Sequence, residues 1–238
     1  MRKSLAAVAA ASVLAGCQVH AKEGATVSRN YQVGNFRQVE VAGPYDVEVR
    51  TGGNPGVSAR GSEKLLERTV VEVRGDRLII HPENNHGFFH FGWGNHGKAS
   101  FTVTVPQLAG ASIAGSGDIR VDRVTGPRFE GEVAGSGGLS VTRMEVQSLK
   151  LSIAGSGGIK AGAGKAQSAE YEIAGSGDVE AGAIQTQQLK VSIAGSGGVR
   201  AHSSGTANVS IMGSGDVDVA GGARCSVSKQ GSGDVRCS

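Results

Sequence analysis

Short stretches in which apolar and polar residues alternate run through the chain from residue 36 to its C-terminus. Tyr45-Asp-Val-Glu-Val49 and Leu149-Lys-Leu-Ser-Ile153 are two of them. A period of two residues is typical of a β-strand that buries one face and exposes the other. Residues 63–68 depart from this pattern and are predicted to form one helical turn capped by Ser62. The pattern therefore predicts an all-β fold.

Seven copies of the tripeptide Gly-Ser-Gly separate the strands of the C-terminal half. They recur at steps of 20 and finally 18 residues, and such a fixed period indicates a solenoid. Glycine adopts backbone angles that a Cβ atom forbids, so each motif is predicted to form a corner between two strands. We expect a single-stranded β-helix, or β-solenoid, of about seven rungs of 18–20 residues over 109–238. The first glycines of the motifs are Gly115, Gly135, Gly155, Gly175, Gly195, Gly213 and Gly231.

Residues at equivalent positions in these copies fall into columns of one character. The positions two before and four after the first glycine are aliphatic in nearly every copy. We predict that these columns stack into a thin aliphatic core, in keeping with an aromatic content of only 4%. The members are Ile113, Val133, Ile153, Ile173, Ile193 and Ile211 before the glycine, and Ile119, Leu139, Ile159, Val179, Val199, Val217 and Val235 after it.

Outward columns five residues before and after the first glycine carry charges whose sign alternates from copy to copy. Neighbouring rungs lie about 4.8 Å apart, so the alternation is predicted to place opposite charges side by side. A slipped rung would stack like charges, and the columns therefore fix the register. One column is Glu130, Lys150, Glu170 and Lys190, and the other is Lys160, Glu180, Arg200, Asp218 and Arg236.

The N-terminus has the pattern of an export signal. Arg2 and Lys3 precede an apolar run over residues 5–14, which is too short to span a bilayer. The following Leu14-Ala-Gly-Cys17 resembles the bacterial lipobox. The resemblance implies that residues 1–16 are a lipoprotein signal peptide, that Cys17 is lipidated, and that the acyl chains anchor the protein. The alternative is an ordinary secretory signal that happens to contain a cysteine.

The residues after the predicted lipidation site suggest where the protein resides. Gln18, rather than Asp, favours the outer membrane in the enterobacterial sorting pattern, and residues 17–26 form a short polar tether. Loss of the leader would lower the formal net charge from +3 to +1, which excludes a strongly basic nucleic-acid-binding protein. Cys225 and Cys237 are then predicted to form a disulfide across the last corner, since the compartment is oxidising and both positions have inward parity. The alternative is two free thiols.

Residues 27–108 are expected to be β-rich and to cap the solenoid. Within them, Phe36-Arg-Gln-Val-Glu-Val41, Tyr45-Asp-Val-Glu-Val49 and Gly61-Ser-Glu-Lys-Leu-Leu66 lead into the repeated Gly-Ser-Gly-Asp-Ile. This order resembles the head-GIN-domain family, to which an adhesin role in autotransporters is ascribed. The resemblance covers about residues 30–238. It implies a β-solenoid of the bacterial envelope, often in lipoproteins, and it carries over no catalytic residue.

The segment 83–98, together with His81, concentrates histidines and aromatic residues. Imidazoles on a loop suggest a site for zinc, copper or nickel, although their spacing matches no known metal motif. Aromatic side chains on a glycine-rich loop suggest a tip that contacts sugar or lipid. The alternative is an insertion whose aromatic rings pack on the side of the solenoid. The metal candidates are His81, His86, His90 and His96, and the binding-tip candidates are Phe88, Phe89, Phe91 and Trp93.

Acidic residues after the corners offer the remaining chemistry. Aspartates three residues after the first glycine of a motif suggest calcium binding, but glycine replaces them in several copies. A role in forming the turn is the simpler interpretation. A polysaccharide-cleaving enzyme would need converging carboxylates. The candidates would be Asp178, Glu180, Asp216 and Asp218, which already belong to the columns above.

We therefore expect no cofactor and no enzymatic activity. The expected function is that of a lipid-anchored envelope protein with a binding, adhesion or scaffolding surface. Its predicted partners are the membrane, through the lipid, and envelope proteins or glycans, but no nucleic acid. The alternatives are a polysaccharide-binding or polysaccharide-cleaving β-helix and a metal-binding envelope protein.

Overall fold

The structure is a computed structural model that describes residues 25–83 and 99–238. These residues form one continuous sheet, wound into a β-solenoid, and one five-residue helix. The elements before the repeat are β1 (Thr26–Tyr31), β2 (Gln38–Ala42), β3 (Asp46–Thr51), β4 (Gly56–Ser62), α1 (Glu63–Glu67), β5 (Thr69–Arg74), β6 (Arg77–Pro82) and β7 (Ala99–Val105).

The Gly-Ser-Gly repeat forms the body of the solenoid, as predicted. Each strand pairs in parallel with its equivalent one rung away, so that Ile153 lies between Val133 and Ile173. Seven stacked corners bound six full turns. The strands are β8 (Gly110–Gly115), β9 (Asp118–Gly135), β10 (Gly138–Gly155), β11 (Gly158–Gly175), β12 (Asp178–Gly195), β13 (Gly198–Gly213), β14 (Asp216–Ala220), β15 (Arg224–Gly231) and β16 (Val235–Cys237).

The predicted aliphatic columns form the core. All their members are at most 3% exposed except Val235, which is half-buried in the last rung. The corners require glycine because the chain passes very close to the rung beneath. Gly135 has a φ of 123°, and a Cβ atom on Gly135 or Gly137 would strike a backbone carbonyl of the preceding corner.

Backbone hydrogen bonds join the corners from rung to rung. The N–H of Ser136 donates to the carbonyl of Gly115 at 2.9 Å, and the later corner serines repeat this bond. Among the described residues, the hydroxyls of these serines form no hydrogen bond with the protein. The stacked serines therefore act in the corners through their backbone.

One rung contains an aromatic ring where its neighbours have aliphatic side chains. Tyr171 is fully buried, in register with Leu151 and Val191. Its own strand, β11, has small side chains at other inward positions, including Ala161 and Ala169. These alanines leave room for the ring, so the volume of the core is balanced within a single rung.

The shortened rungs lose their two residues away from the Gly-Ser-Gly corner, between Glu180 and Gln188 of β12. Glu180 is in register with Arg200, but Gln185 is already in register with His202. By Leu189, which pairs with Ala207, the strands run regularly again. The deletion therefore leaves the columns near the corner in phase.

The solenoid begins one turn before the first Gly-Ser-Gly motif. Strands β2 and β3 lie in parallel register with β8 and β9. The turn between them stacks on the first corner, where the N–H of Gly43 donates to Ala114 at 2.9 Å. In this turn Tyr45 occupies the position of the second glycine. The sequence predicted the two strands but gave no sign of the corner, because Ala-Gly-Pro-Tyr replaces the motif.

Antiparallel strands close the N-terminal end. Strands β6 and β7 pair in parallel with β2 and β3. Beyond them, β5 pairs with β6, and β4 joins β7 to β1, all antiparallel. The helical turn is present as α1 with Ser62 at its N-cap position, but the Ser62 side chain forms no capping hydrogen bond, so only that part of the prediction is wrong. Ser62 belongs to β4, where it pairs with Thr26.

The C-terminal end is closed by side chains. The predicted disulfide is confirmed, since Cys225 bonds to Cys237 across the last corner with a Cα–Cα distance of 6.6 Å. Lys229 takes the place of isoleucine in the core column, and its Nζ donates to the carbonyl of Gly233 at 2.7 Å. Val227, which points along an inward column, is 48% exposed because no rung covers it.

Candidate binding surface

Outward side chains of the solenoid form ladders of opposite charge. Glu180 lies between Lys160 and Arg200, with N–O distances of 3.3 and 3.7 Å. In the other column, Lys190 Nζ donates to Glu170 Oε1 at 2.6 Å. This contact lowers the pKa of the Glu170 carboxyl and raises the pKa of the Lys190 ammonium. At these positions the predicted ion pairs join neighbouring rungs.

Four residues depart from simple alternation, including Glu130, which pairs with Arg128 of its own strand, and Arg236, which forms no ion pair among the described residues. Lys150 Nζ pairs with Glu172 Oε2 at 2.9 Å instead of with Glu170, and this contact raises the pKa of Lys150. Asp218 is in register with Arg200 on one side, but it forms no ion pair within the described part of the chain. The prediction fails there because Arg200 turns back towards Glu180.

Two of the aspartates that follow the corners accept backbone N–H groups of the next rung. Asp178 Oδ1 accepts the N–H of Gly198 at 2.7 Å, and Asp216 Oδ1 accepts the N–H of Asp234 at 2.8 Å. A Cβ atom on Gly198 would lie 2.9 Å from Asp178 Oδ1, so a glycine fits best above this aspartate. These two carboxylates, which a polysaccharide-cleaving site would use, therefore serve the stacking of the rungs.

His81 is the metal candidate that the structure describes. Its Nε2 lies 3.0 Å from Glu72 Oε1, and its Nδ1 lies 2.8 Å from the carbonyl of Pro82. The ring and then the Arg74 guanidinium lower the pKa of Glu72. Both ring nitrogens thus face protein oxygens, and a metal would have to displace one of these contacts.

Several predicted site residues lie outside the described residues, and the structure does not test them. They are the lipidation site Cys17, the histidines His86, His90 and His96, and the aromatic residues Phe88, Phe89, Phe91 and Trp93. Within residues 25–83 and 99–238, no group of three His, Cys, Asp or Glu side chains converges on a metal site. The same residues contain no helix long and apolar enough to cross a membrane.

Two open grooves lie on the described surface. One, of about 420 Å³, follows the charge ladder past Asp178, Glu180 and Arg200 to the last rung. The other, of about 320 Å³, lies near the N-terminal end between Arg37 and Arg128. The first groove is walled by side chains of the regular rungs, whereas the second lies where residues 37–38 and 107–109 meet β9.

A family model described as "Putative auto-transporter adhesin, head GIN domain" matches residues 35–223. The chain belongs to this family. The match covers the turn at Gly43, all the corners up to Gly213 and most of the N-terminal cap. The adhesin description of the head GIN family suggests an envelope-associated protein without enzymatic activity. No curated protein matches the chain significantly.

Solved structures share the fold of this head GIN protein. A putative adhesin from Bacteroides fragilis has a TM-score of 0.80 and 22% identity, over 90% of this chain and 97% of its own. A putative lipid binding protein from Parabacteroides distasonis has a TM-score of 0.68 and 24% identity, over 90% of this chain and 97% of its own. A putative adhesin from the same species has a TM-score of 0.69 and 20% identity, over 90% and 98%. At these identities the likeness shows the fold alone.

One pair of arginines in this head GIN chain is absent from the sites predicted from the sequence. Arg123 and Arg143 each stand eight residues after a first glycine, and the structure places them in register. The signal was in the repeat itself, because this column places two charges of the same sign on successive rungs. Their position suggests a role other than fixing the register.

Proposed function

We propose that this protein is a lipid-anchored, non-enzymatic component of the bacterial envelope whose solenoid offers a surface for binding, adhesion or scaffolding. The observation that carries the proposal is the regular packing of the sides. Several outward carboxylates and cations, among them Glu180 and Lys190, form ion pairs with the neighbouring rung. A surface of this kind is rigid and flat, which suits the binding of an extended partner.

The position of the lipid would orient this surface. Cys17 precedes the first strand, β1, by nine residues, and nine residues reach at most about 30 Å. An anchor at Cys17 would therefore keep the antiparallel cap close to the membrane. The last rung, seven steps of about 4.8 Å along the sheet from β3, would then face outwards.

Protease accessibility on intact cells tests the surface role. Digestion of the protein on intact cells supports adhesion, and aggregation or attachment assays with a deletion strain would follow. Protection until the cells are lysed overturns adhesion and leaves scaffolding within the envelope, to be tested by crosslinking. A periplasmic marker protein, digested only after lysis, is the control.

Replacement of the lipidated cysteine tests the anchor. Cys17→Ser is expected to move the protein from the membrane fraction to the soluble fraction, or to block its processing. The double variant Cys225→Ser/Cys237→Ser is the matched control, since it also removes cysteines but should stay with the membrane. Retention of the Cys17→Ser protein in membranes, after cleavage of its leader, would overturn the lipoprotein proposal.

A further inference from the structure

One column of the solenoid places like charges side by side. Arg123 on β9 and Arg143 on β10 are in register, so their backbones lie about 4.8 Å apart. Both residues are exposed. In the neighbouring ladder, by contrast, Glu180 separates two cations. Like charges directly opposite each other destabilise a sheet, so this pair weakens the fold unless another group neutralises it.

The described residues supply no such group. Neither guanidinium takes part in an ion pair or hydrogen bond within this part of the chain. Asp122 is adjacent, but its carboxylate accepts the N–H of Thr51 at 3.0 Å, the Thr51 hydroxyl at 3.1 Å and the N–H of Arg123 at 2.6 Å. Glu145, two residues after Arg143, pairs with neither arginine. The two positive charges are therefore available to a ligand.

The chemistry of the pair suits an anionic group. A guanidinium presents its N–H donors in a planar fork that matches carboxylate, sulfate and phosphate. Two forks on successive rungs can hold one such group between them, and its charge removes the repulsion. The next residue in register, Ala163, is too short to occupy this space. We propose that Arg123 and Arg143 bind the anionic groups of an acidic polysaccharide.

A polymer fits the surroundings better than a free ion. Thr125, two residues beyond Arg123, lines the groove of about 320 Å³ that also holds Arg37 and Arg128. Arg128 is at most about 17 Å along the strand from Arg123. Its guanidinium lies 3.6 Å from Glu130, an exposed pair that a stronger anion can replace. A chain with repeated anionic groups can reach both places, whereas single phosphate ions would bind independently.

This inference rests on the proposed function, because it gives the binding surface a ligand class. The test uses the purified protein in detergent, with dextran sulfate as the probe and neutral dextran as its uncharged counterpart. Arg123→Gln/Arg143→Gln removes the pair. Lys160→Gln/Arg200→Gln is the matched control, since it removes the same charge from residues that flank Glu180.

We expect dextran sulfate to bind and neutral dextran not to bind. The affinity should fall about tenfold or more in the first double variant and about twofold at most in the control. The loss should be larger at about 50 mM salt than at about 300 mM salt. Equal losses in both variants would show that only net charge matters and would overturn the site, as would a wild-type protein that does not bind.

Two further measurements separate the remaining sources of the anion. Competition by inorganic phosphate at low concentration would point to a free ion. Arginine-dependent binding to micelles containing phosphatidylglycerol, without binding to dextran sulfate, would point to a lipid surface. Either result overturns the polysaccharide proposal.

Thermal unfolding without ligand tests the repulsion between the two arginines. Arg143→Gln should raise the melting temperature, because it removes this repulsion. A lower melting temperature would mean that Arg143 stabilises the fold and would contradict the repulsion from which the site is inferred. These tests need no cells, so they can fail or succeed independently of the protease experiment.

Discussion

The two ends of this solenoid are closed by different means. A stack of parallel strands leaves backbone N–H and C=O groups unpaired at each end. At the N-terminal end, antiparallel strands cover the stack, and the Tyr45 and Phe101 rings pack edge to face with centroids 5.5 Å apart. At the C-terminal end, no further strand within the described chain covers β15 and β16. A disulfide and Lys229 close that end instead.

The difference follows from what each end can bury. The N-terminal cap encloses its inward side chains, so burial of apolar surface stabilises it. Tyr45 is fully buried, and its hydroxyl shares a hydrogen bond of 3.1 Å with Thr69, which in turn donates to the carbonyl of Leu65 at 2.8 Å. Within the described chain no further rung covers the last one, so its inward Val227 is 48% exposed and Val235 is only half-buried. A disulfide works there because it restricts the unfolded chain and needs little burial.

Truncation of one inward residue at each end should show the largest contrast. Tyr45→Ala is expected to cost about 4 kcal/mol, because it opens a cavity in a closed core. Val227→Ala is expected to cost below about 1 kcal/mol, since Val227 is 48% exposed. Chemical denaturation of each purified variant measures both values.

Tyr45→Phe divides the larger effect into its parts. It keeps the ring and removes only the hydrogen bond to Thr69, so it should cost about 1 kcal/mol. A Val227→Ala loss as large as that of Tyr45→Ala would mean that the C-terminal end is covered in solution, and the contrast between the ends would fail.

Reduction of the disulfide should have the next largest effect, and it should be confined to the C-terminal end. Cys225 and Cys237 are separated by 12 positions, and closing a loop of this size stabilises a fold by about 3 kcal/mol. Thermal unfolding with and without reductant measures the loss. The Cys225→Ser/Cys237→Ser variant should resemble the reduced protein and show no response to reductant. An unchanged melting temperature of the wild type on reduction would contradict the clamp.

The repeated rungs could be predicted from the sequence because the Gly-Ser-Gly motif occurs seven times at a nearly constant spacing. The alternation of apolar and polar residues predicted the strands, and the glycines predicted the corners. The disulfide was predicted because Cys225 and Cys237 both occupy inward positions of the last rung. The corner at Gly43 could not be found in this way, since it carries Pro44 and Tyr45 in place of the motif. The pairing of β4 with β7 was equally hidden, because antiparallel partners far apart in the chain share no periodic signal.

The candidate site was less predictable than the fold. A sequence shows which charges share a column, but it does not show which partner a long side chain chooses. Lys150 therefore reached Glu172 instead of Glu170, and Asp218 was left without its expected cation. Arg123 and Arg143 were visible as a column of one sign, and only the structure showed that Asp122 is bound to the backbone instead of to them.

A variant in the middle of the solenoid provides a change in stability with which the variants at both ends can be compared. Tyr171 is buried, and its hydroxyl has no hydrogen-bond partner among the described residues. The same burial raises its pKa. Tyr171→Phe removes the unpaired hydroxyl while the ring stays in place, so it should stabilise the protein by about 1 kcal/mol in chemical denaturation. A loss of similar size would show that a buried water molecule satisfies the hydroxyl.

The smallest expected effect concerns the ion pair between Glu170 and Lys190 on neighbouring rungs. The Lys190 ammonium lowers the pKa of Glu170 below its ordinary value of 4.5. A carboxyl whose pKa is lower in the folded state stabilises the protein above its unfolded pKa, and this contribution disappears as the pH falls through the folded pKa. Glu170→Gln should therefore cost about 0.2–1 kcal/mol at neutral pH, a range typical of solvent-screened pairs.

The pH dependence identifies the source of that loss. The difference between wild type and Glu170→Gln should shrink as the pH drops below about 4.5 and vanish below the folded pKa of Glu170. Glu145→Gln is the control, because Glu145 has no ion pair within the described chain, and its effect should be close to zero throughout. A Glu170→Gln loss that persists in acid would mean that this side chain stabilises the middle rungs by packing. The ladder would then contribute through burial, as the N-terminal cap does.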